Sequence, residues 1–266
     1  MKNMIITALK ASGETLLGYF NKPLEIKQKE SQSSIVTIAD IESEKVIINL
    51  IKEGFPGHNI ISEECGFIDN KSEFTWVIDP LDGTSNFASG IPWFGVLISL
   101  FKNNDPVMGG SYLPVQNDLF FAEKGRGAFK NGEPLPHLEN KALKDSLFAF
   151  CVDYTEDQAF LNKGLEIYKS IVKKSRNIRS TNCLIDFIYV AEGKFGGVMN
   201  FNTRVWDISA LGLIISELGG VMKNVNGENI RFSISKEILN ENFPVIAGNK
   251  SIIKSLTDLP LADADL

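Results

Sequence analysis

Trp76-Val77-Ile78-Asp79-Pro80-Leu81-Asp82-Gly83-Thr84-Ser85-Asn86-Phe87 is the stretch from which the fold is read. Its apolar, partly β-branched start predicts a buried strand that ends at an aspartate. Pro80 fixes one φ and lacks an N–H, so the ladder is expected to stop there. Asp82-Gly83 predicts a turn, and Thr84 or Ser85 is placed to cap the next element. Two carboxylates three residues apart thus stand at the mouth of a strand. Such a turn can be purely structural, so its meaning depends on what the chain brings beside it.

Upstream, Ile5, Ala8, Leu9, Leu16, Leu17 and Phe20 recur at helical spacing and stop before Pro23. Residues 25–34 are polar and rich in Lys, Gln and Ser, which predicts an exposed, mobile loop. Ile35, Val36 and Ile38 lead to Asp40, which is expected to cap a helix running from Ile41 to Lys52. Asn59-Ile60-Ile61-Ser62 reads as a strand ending at Glu63-Glu64, with a polar loop after it. Downstream, 95–101, 107–112, 119–122 and 127–129 read as strands of a meander, with Asn131-Gly132 as a turn. Pro134-Leu135-Pro136 suggests a boundary between an N-terminal α+β subdomain (1–135) and a C-terminal α/β subdomain (136–266). In the second half, strands at 147–152, 178–179, 195–201, 221–222 and 244–247 alternate with helices at 158–173, 183–191, 205–218 and from Lys250. Stacked helix and sheet layers fit this order.

With 266 residues, 44% hydrophobic and 23% charged, the chain is long enough for a substantial core. A net charge of −6 and the lack of a basic block argue against a general nucleic-acid surface. They do not exclude a phosphorylated substrate, because a metal ion reverses the local sign. Cys65, Cys151 and Cys183 form no C-x-x-C, so a reducing, cytoplasmic setting is expected. Cys65 abuts two glutamates, which should raise its pKa and leave it passive. The first residues read as an amphipathic helix, not as a signal peptide or membrane span.

Glu63 and Glu64 end one strand, Asp79 and Asp82 end another, and Asp207 is read as opening a helix. Hard divalent ions such as Mg²⁺ take carboxylate oxygens, backbone carbonyls and water, and strand ends on one edge of a layered fold are where these converge. Each residue also has a plain structural reading. Asp40 and Asp207 stabilise a helix start by about 0.5–2 kcal/mol with no catalytic role. Glu63-Glu64 can be a solvated strand end, and Asp82-Gly83 an ordinary turn.

Taken together, Val36-Thr37-Ile38-Ala39-Asp40, Ser62-Glu63-Glu64, Asp79 to Phe87, and Trp206-Asp207-Ile208-Ser209-Ala210 continuing to Glu217-Leu218-Gly219-Gly220 resemble the inositol monophosphatase family. These are Mg²⁺-dependent, lithium-sensitive phosphatases, and the likeness runs through nearly the whole chain. It implies a layered αβαβα sandwich of the sugar-phosphatase type and Mg²⁺-dependent hydrolysis of a phosphate monoester. It also implies a ligand set. Glu63, Asp79 and the Leu81 carbonyl would hold one Mg²⁺, and Asp79, Asp82 and Asp207 a second. A third, weaker ion would lean on Glu63 and water.

The same resemblance makes Thr84 with Asp40 the pair that orients and deprotonates water, with Glu63 and Glu64 nearby. Asp82, Gly83 and Thr84 would bind the substrate, the last two offering backbone N–H groups to the phosphate. Lys29 is a loop residue placed to close over the site, or simply a solvated charge. Departures fall on the leaving-group pocket. Asn200 stands where inositol phosphatases carry a ring-binding glutamate, and Asn182 where a glycine is usual. Arg204 would contact a second phosphate or shield the acidic cluster. The expected partner is therefore a small phosphorylated alcohol or sugar, most like an inositol phosphate. Fructose-1,6-bisphosphatase or NADP phosphatase activity is the alternative, and a catalytically silent ligand-binding paralogue the contrary reading. Neither nucleic acid nor membrane is expected as a partner, and a homodimer is a family expectation.

Overall fold

The computed structural model describes residues 1–23, 25–29 and 35–257. Among them are seven α-helices: α1 (Lys2–Tyr19), α2 (Ile38–Gly54), α3 (Thr84–Ala88), α4 (Gln158–Lys174), α5 (Leu184–Ala191), α6 (Val205–Glu217) and α7 (Lys250–Thr257). The strand Phe74–Asp82 lies inside an eight-stranded sheet. It pairs in parallel with Asn59–Ser62 and antiparallel with Gly95–Lys102. Beyond Gly95–Lys102 the sheet continues as a meander to its edge at Glu133–Pro134. A second sheet of five strands runs Asn177–Arg179, Leu147–Cys151, Phe195–Asn200, Val245–Gly248, Val221–Asn224.

Period-two alternation decides which layer each side chain meets. Trp76 and Ile78, with Val96 and Ile98, pack against Ile5, Leu9, Leu16, Ile47 and Ile51 of α1 and α2. Val77 and Leu97, on the opposite face, join Leu184, Ile188, Ile208 and Ile214 of α5 and α6. The small sheet closes those two helices from the other side through Ala149, Val198 and Ala247. Its outer face carries Phe148, Met199 and Ile246 against Ile167 and Ile171 of α4 and Ile252 and Leu256 of α7. The layers therefore run helix, sheet, helix, sheet, helix, the αβαβα sandwich expected. Lying between two sheets, α6 buries residues on nearly every side, which is why its sequence is apolar almost throughout.

Two contacts hold α6 close to the large sheet. Ser209 Oγ lies 2.7 Å from Ser99 Oγ, both buried. At Gly109 an added Cβ would stand 2.9 Å from the Ala210 Cα, so glycine is what lets the helix backbone approach. That approach carries Asp207 toward the end of the Phe74–Asp82 strand.

Several local expectations are corrected. Pro80 does not end the strand: pairing with Gly95–Lys102 shifts between Asp79 and Asp82 and resumes at Asp82↔Gly95, a bulge that tolerates the missing N–H. Neither Thr84 nor Ser85 caps α3; Gly83 does, with a left-handed φ of 88°. Asp40 is not the cap of α2 but its third residue. The helix begins at Ile38 because Thr37 is the cap and forms a reciprocal capping box with Asp40. Asp207 is likewise the third residue of α6. Ile26–Gln28 is not loop but pairs antiparallel with Ile35–Thr37, while residues 30–34 lie outside the described residues. Gly66–Ile68, read as loop, is an edge strand on Asn59–Ser62. Among the described residues no helix is long and apolar enough to cross a membrane.

Candidate functional site

Asp79, Asp82 and Asp207 meet at one point: a carboxylate oxygen from each lies within 4.8 Å of the others. Backbone donors aim all three. Asp79 Oδ1 accepts from Leu81 N–H at 3.0 Å, Asp82 Oδ1 from Leu184 N–H at 2.7 Å, and Asp207 Oδ2 from Arg204 N–H at 2.6 Å. Groups held this way have lost rotamer freedom before any ligand arrives. Glu63, which comes directly after the neighbouring strand Asn59–Ser62, is hydrogen-bonded to Asp79.

The electrostatics say what the cluster lacks. Burial and the nearby Glu63, Asp82 and Asp207 hold the Asp79 carboxyl well above its ordinary value. Asp207 moves the same way, through burial and Asp82. Burial, with Glu63 and Asp186, pushes Asp82 up to about 7 against a backbone bond from Leu184 that lowers it. Glu63 is also raised, by burial, although Lys29 opposes this. Four buried carboxyls whose pKa values are all raised need positive charge to ionise together. Their donors are hard oxygens, which fit Mg²⁺ and do not suit a soft metal.

Lys29 supplies one such charge. Its Nζ donates to Glu63 Oε1 at 2.8 Å and also to Glu64 Oε1. Burial alone would lower the ammonium's pKa, but the two glutamates raise it overall. The Lys29 position read from the sequence thus falls at the site and not in solvent.

Thr84 Oγ1 lies 3.0 Å from Asp40 Oδ1 and 3.0 Å from the Leu81 carbonyl oxygen. Asp40 Oδ2 in turn accepts from Thr37 N–H at 2.8 Å and Thr37 Oγ1 at 2.7 Å. Burial raises the Asp40 pKa, against the Thr37 and Thr84 hydrogen bonds. Gly83 cannot be replaced cheaply: besides its positive φ, an added Cβ would meet the Trp93 carbonyl oxygen at 2.6 Å. That tight turn starts α3 directly after the strand that carries Asp79 and Asp82, and the first N–H groups of a helix have no acceptor within it.

Lys29, Glu63, Asp79, Leu81, Asp82, Gly83, Thr84 and Asp207 line one cavity of about 580 Å³, which also reaches Asn182, Asn200 and Arg204, whereas Asp40 and Glu64 stand behind its wall, joined to it through Thr84 and Lys29. Asn200 Oδ1 accepts from Asn202 N–H at 3.0 Å, so it holds its own turn. Arg204 Nη1 donates to the Asn240 carbonyl at 2.7 Å. Asn182 takes a left-handed φ of 53°, a conformation asparagine adopts more readily than most residues. Cys65 is exposed and lies outside this cavity; partial burial and the Glu44 carboxylate push its thiol up to about 11, which disfavours the thiolate at neutral pH.

Sequence reasoning missed Glu44, the residue that shapes the Glu63-Glu64 turn. From α2 its buried Oε1 accepts from Ser62 Oγ, from Glu64 N–H at 3.1 Å and from Cys65 N–H at 2.9 Å. The available signal was an acidic residue one turn after Asp40, in helical phase with Ile47, Ile48 and Ile51 of the buried side of α2. Removing a buried acceptor leaves three donors unsatisfied, so Glu44→Ala is expected to destabilise by ~2–4 kcal/mol in urea unfolding. Glu44→Gln should lose less than half as much, and equal losses would show that the hydrogen bonds do not matter.

The cavity geometry agrees with what the chain resembles among known proteins. The profile described as "Inositol monophosphatase family" matches residues 1–259. The fructose-1,6-bisphosphatase/inositol-1-monophosphatase of Aquifex aeolicus is 34% identical over 249 residues, 92% of this chain and 89% of that protein. The Nus factor SuhB of Pseudomonas aeruginosa is 30% identical over 263 residues, covering 96% and 94%. The crystal structure of the extragenic suppressor protein suhB from Bartonella henselae superposes with a TM-score of 0.87 at 28% identity, over 96% of both chains. A match over almost the full length, on a fold that brings the motif carboxylates to one cavity, places the chain in the inositol monophosphatase family.

Proposed function

We propose that the protein hydrolyses a small phosphate monoester in a Mg²⁺-dependent reaction, with an inositol-phosphate-like alcohol as the favoured leaving group. The observation that carries this reading is the meeting of Asp79, Asp82 and Asp207 within 4.8 Å, beside Glu63 and the Thr84–Asp40 pair. Glu63, Asp79, Asp82, Asp207 and the Leu81 carbonyl would hold two or three Mg²⁺ ions. Bound there, such ions neutralise a phosphate dianion and lower the pKa of water.

The chain's own groups do the positioning. Asp40, anchored by Thr37, takes the Thr84 hydroxyl hydrogen, which frees the Thr84 oxygen to accept one from the attacking water. The N–H groups at Gly83 and Thr84 face the phosphate oxygens and add fixed positive potential. Lys29 shields Glu63 and Glu64 where it lines the cavity.

The first test is phosphate release from an aryl phosphate with and without Mg²⁺. Turnover is expected only with Mg²⁺ and is expected to be inhibited by lithium. No Mg²⁺-dependent turnover would overturn the reading in favour of a silent paralogue. Comparing kcat/KM for inositol 1-phosphate, fructose 1,6-bisphosphate and NADP then ranks the leaving groups. A second reading, a role like that of the Pseudomonas Nus factor, is supported by that relative's name. Under that reading a variant such as Asp79→Asn would keep the role while losing hydrolysis. We further propose a homodimer in the cytoplasm, divided near residue 135 into the two subdomains read from the sequence; size-exclusion chromatography with light scattering tests the dimer.

A further inference from the structure

The leaving-group side of the cavity is polar but nearly free of carboxylates. Apart from Glu63, Asp79, Asp82 and Asp207, the acidic residue among the described ones that line it is Asp153. Asp153 lies just past the strand Leu147–Cys151 in the small sheet, and its Oδ1 accepts from the side-chain amide of Asn182. The Asn202 side chain is a second hydrogen-bond partner. Asn200, which also lines this wall, has committed its oxygen to Asn202 N–H.

Asp153 is also held in register with the acid cluster. The turn bearing Asn182 is fixed by Asp186 Oδ2, which accepts Thr181 N–H at 3.2 Å and Asn182 N–H at 3.1 Å. Two residues on, Leu184 N–H binds Asp82 Oδ1 at 2.7 Å. One rigid turn therefore joins a cluster carboxylate to the Asp153 anchor. A displacement of that turn would move both.

We propose that Asp153 is the residue that reads the leaving group, selecting a neutral polyol and rejecting an alcohol that carries a second phosphate. The proposal rests on the phosphatase reading of the same site. A carboxylate has about four lone-pair sites, and two amide donors leave room for hydroxyls. Hydrogen bonds to a charged acceptor are the stronger kind, and a hydroxyl pair on a polyol supplies two. A second phosphate in the same place meets a like charge with its own amide donors already engaged, and specificity gains from that repulsion as much as from the attraction.

The test compares wild type, Asp153→Asn and Asp153→Ala on three probes: inositol 1-phosphate, fructose 1,6-bisphosphate and an aryl phosphate without hydroxyls. Asp153→Asn is expected to lower kcat/KM for inositol 1-phosphate by ~10-fold or more, mainly through KM, because a charged acceptor is lost. The loss on the aryl phosphate should be at least several-fold smaller. The ratio of bisphosphate to inositol 1-phosphate turnover should rise by ~10-fold, in both variants. Equal losses on all three probes, or an unchanged ratio in the isosteric Asn variant, would overturn the assignment. Wild-type enzyme that turns over the aryl phosphate but prefers the bisphosphate would also overturn it while leaving the phosphatase reading intact. Absence of Mg²⁺-dependent aryl phosphate turnover in the wild type would instead remove the phosphatase reading, and the role of Asp153 with it.

Discussion

Asp79→Asn is expected to cut kcat/KM by ~10³-fold or more in Mg²⁺-titrated assays, because a central carboxylate of the cluster becomes a neutral amide. Asp79 is buried and hydrogen-bonded to both Glu63 and Asp207, so it stands between the two. Asp40→Asn should cost only ~10–10²-fold, since Asp40 acts through Thr84 and touches the water at one remove. The two variants should also differ in stability without metal. Asp79→Asn replaces a buried carboxyl that burial and the adjacent Glu63, Asp82 and Asp207 hold well above its ordinary pKa with a neutral amide, so its melting temperature in EDTA should rise above that of the wild type. Comparable, mild activity losses in the two variants would sink the central role given to Asp79.

The stabilisation of the protein by Mg²⁺ is expected to grow steeply with pH. Asp82 sits at about 7 in the folded, metal-free chain against 3.8 for an unperturbed aspartate. Asp79, Asp207 and Glu63 are displaced in the same direction. For a carboxyl whose folded pKa is raised, the favourable contribution is complete below the unfolded value and is lost as pH rises through the folded one. Metal-free protein should therefore lose stability between about pH 4 and pH 8, as the cluster is forced to ionise without a counter-charge. Mg²⁺ needs the ionised carboxylates and releases their protons on binding, so its affinity rises over the same range, by ~10-fold per pH unit for each proton displaced. The gap between melting temperatures in Mg²⁺ and in EDTA should widen from about pH 5.5 to pH 8. Taking the difference at each pH cancels the titration of carboxyls elsewhere in the chain. A gap that stays flat would mean that these carboxyls do not bind the ion.

Much of the site was visible in the linear chain because its parts are local. Asp, Pro and Gly act on the backbone within a few residues, so Asp79 to Gly83 announced a strand end and a turn wherever it lay. The same locality explains the errors. Pro80 reads as a stop, yet the sheet takes it into a bulge between Asp79 and Asp82. Asp40 reads as a cap, yet Thr37 competes for the position and wins because its hydroxyl reaches the Ala39 N–H while Asp40 returns the bond to Thr37. Ile26–Gln28 reads as loop because its composition is polar, whereas its pairing with Ile35–Thr37 satisfies backbone groups irrespective of side chain.

By itself, then, the order of residues determined the carboxylates, the glycine turn and the alternation that sends Trp76 and Val77 to opposite layers. These arise from bond geometry and burial, which act over a few residues. Only the tertiary structure decided that Asp207 meets Asp79 and Asp82, because that meeting depends on α6 lying against Gly109 and Ser99 of other strands. It likewise decided that Glu44 shapes the Glu63 turn and that Asp153 stands on the cavity wall tied to Asn182. Hydrogen bonds between distant segments leave no periodic trace in either segment; they exist once the layers have stacked and each buried polar group has found its partner.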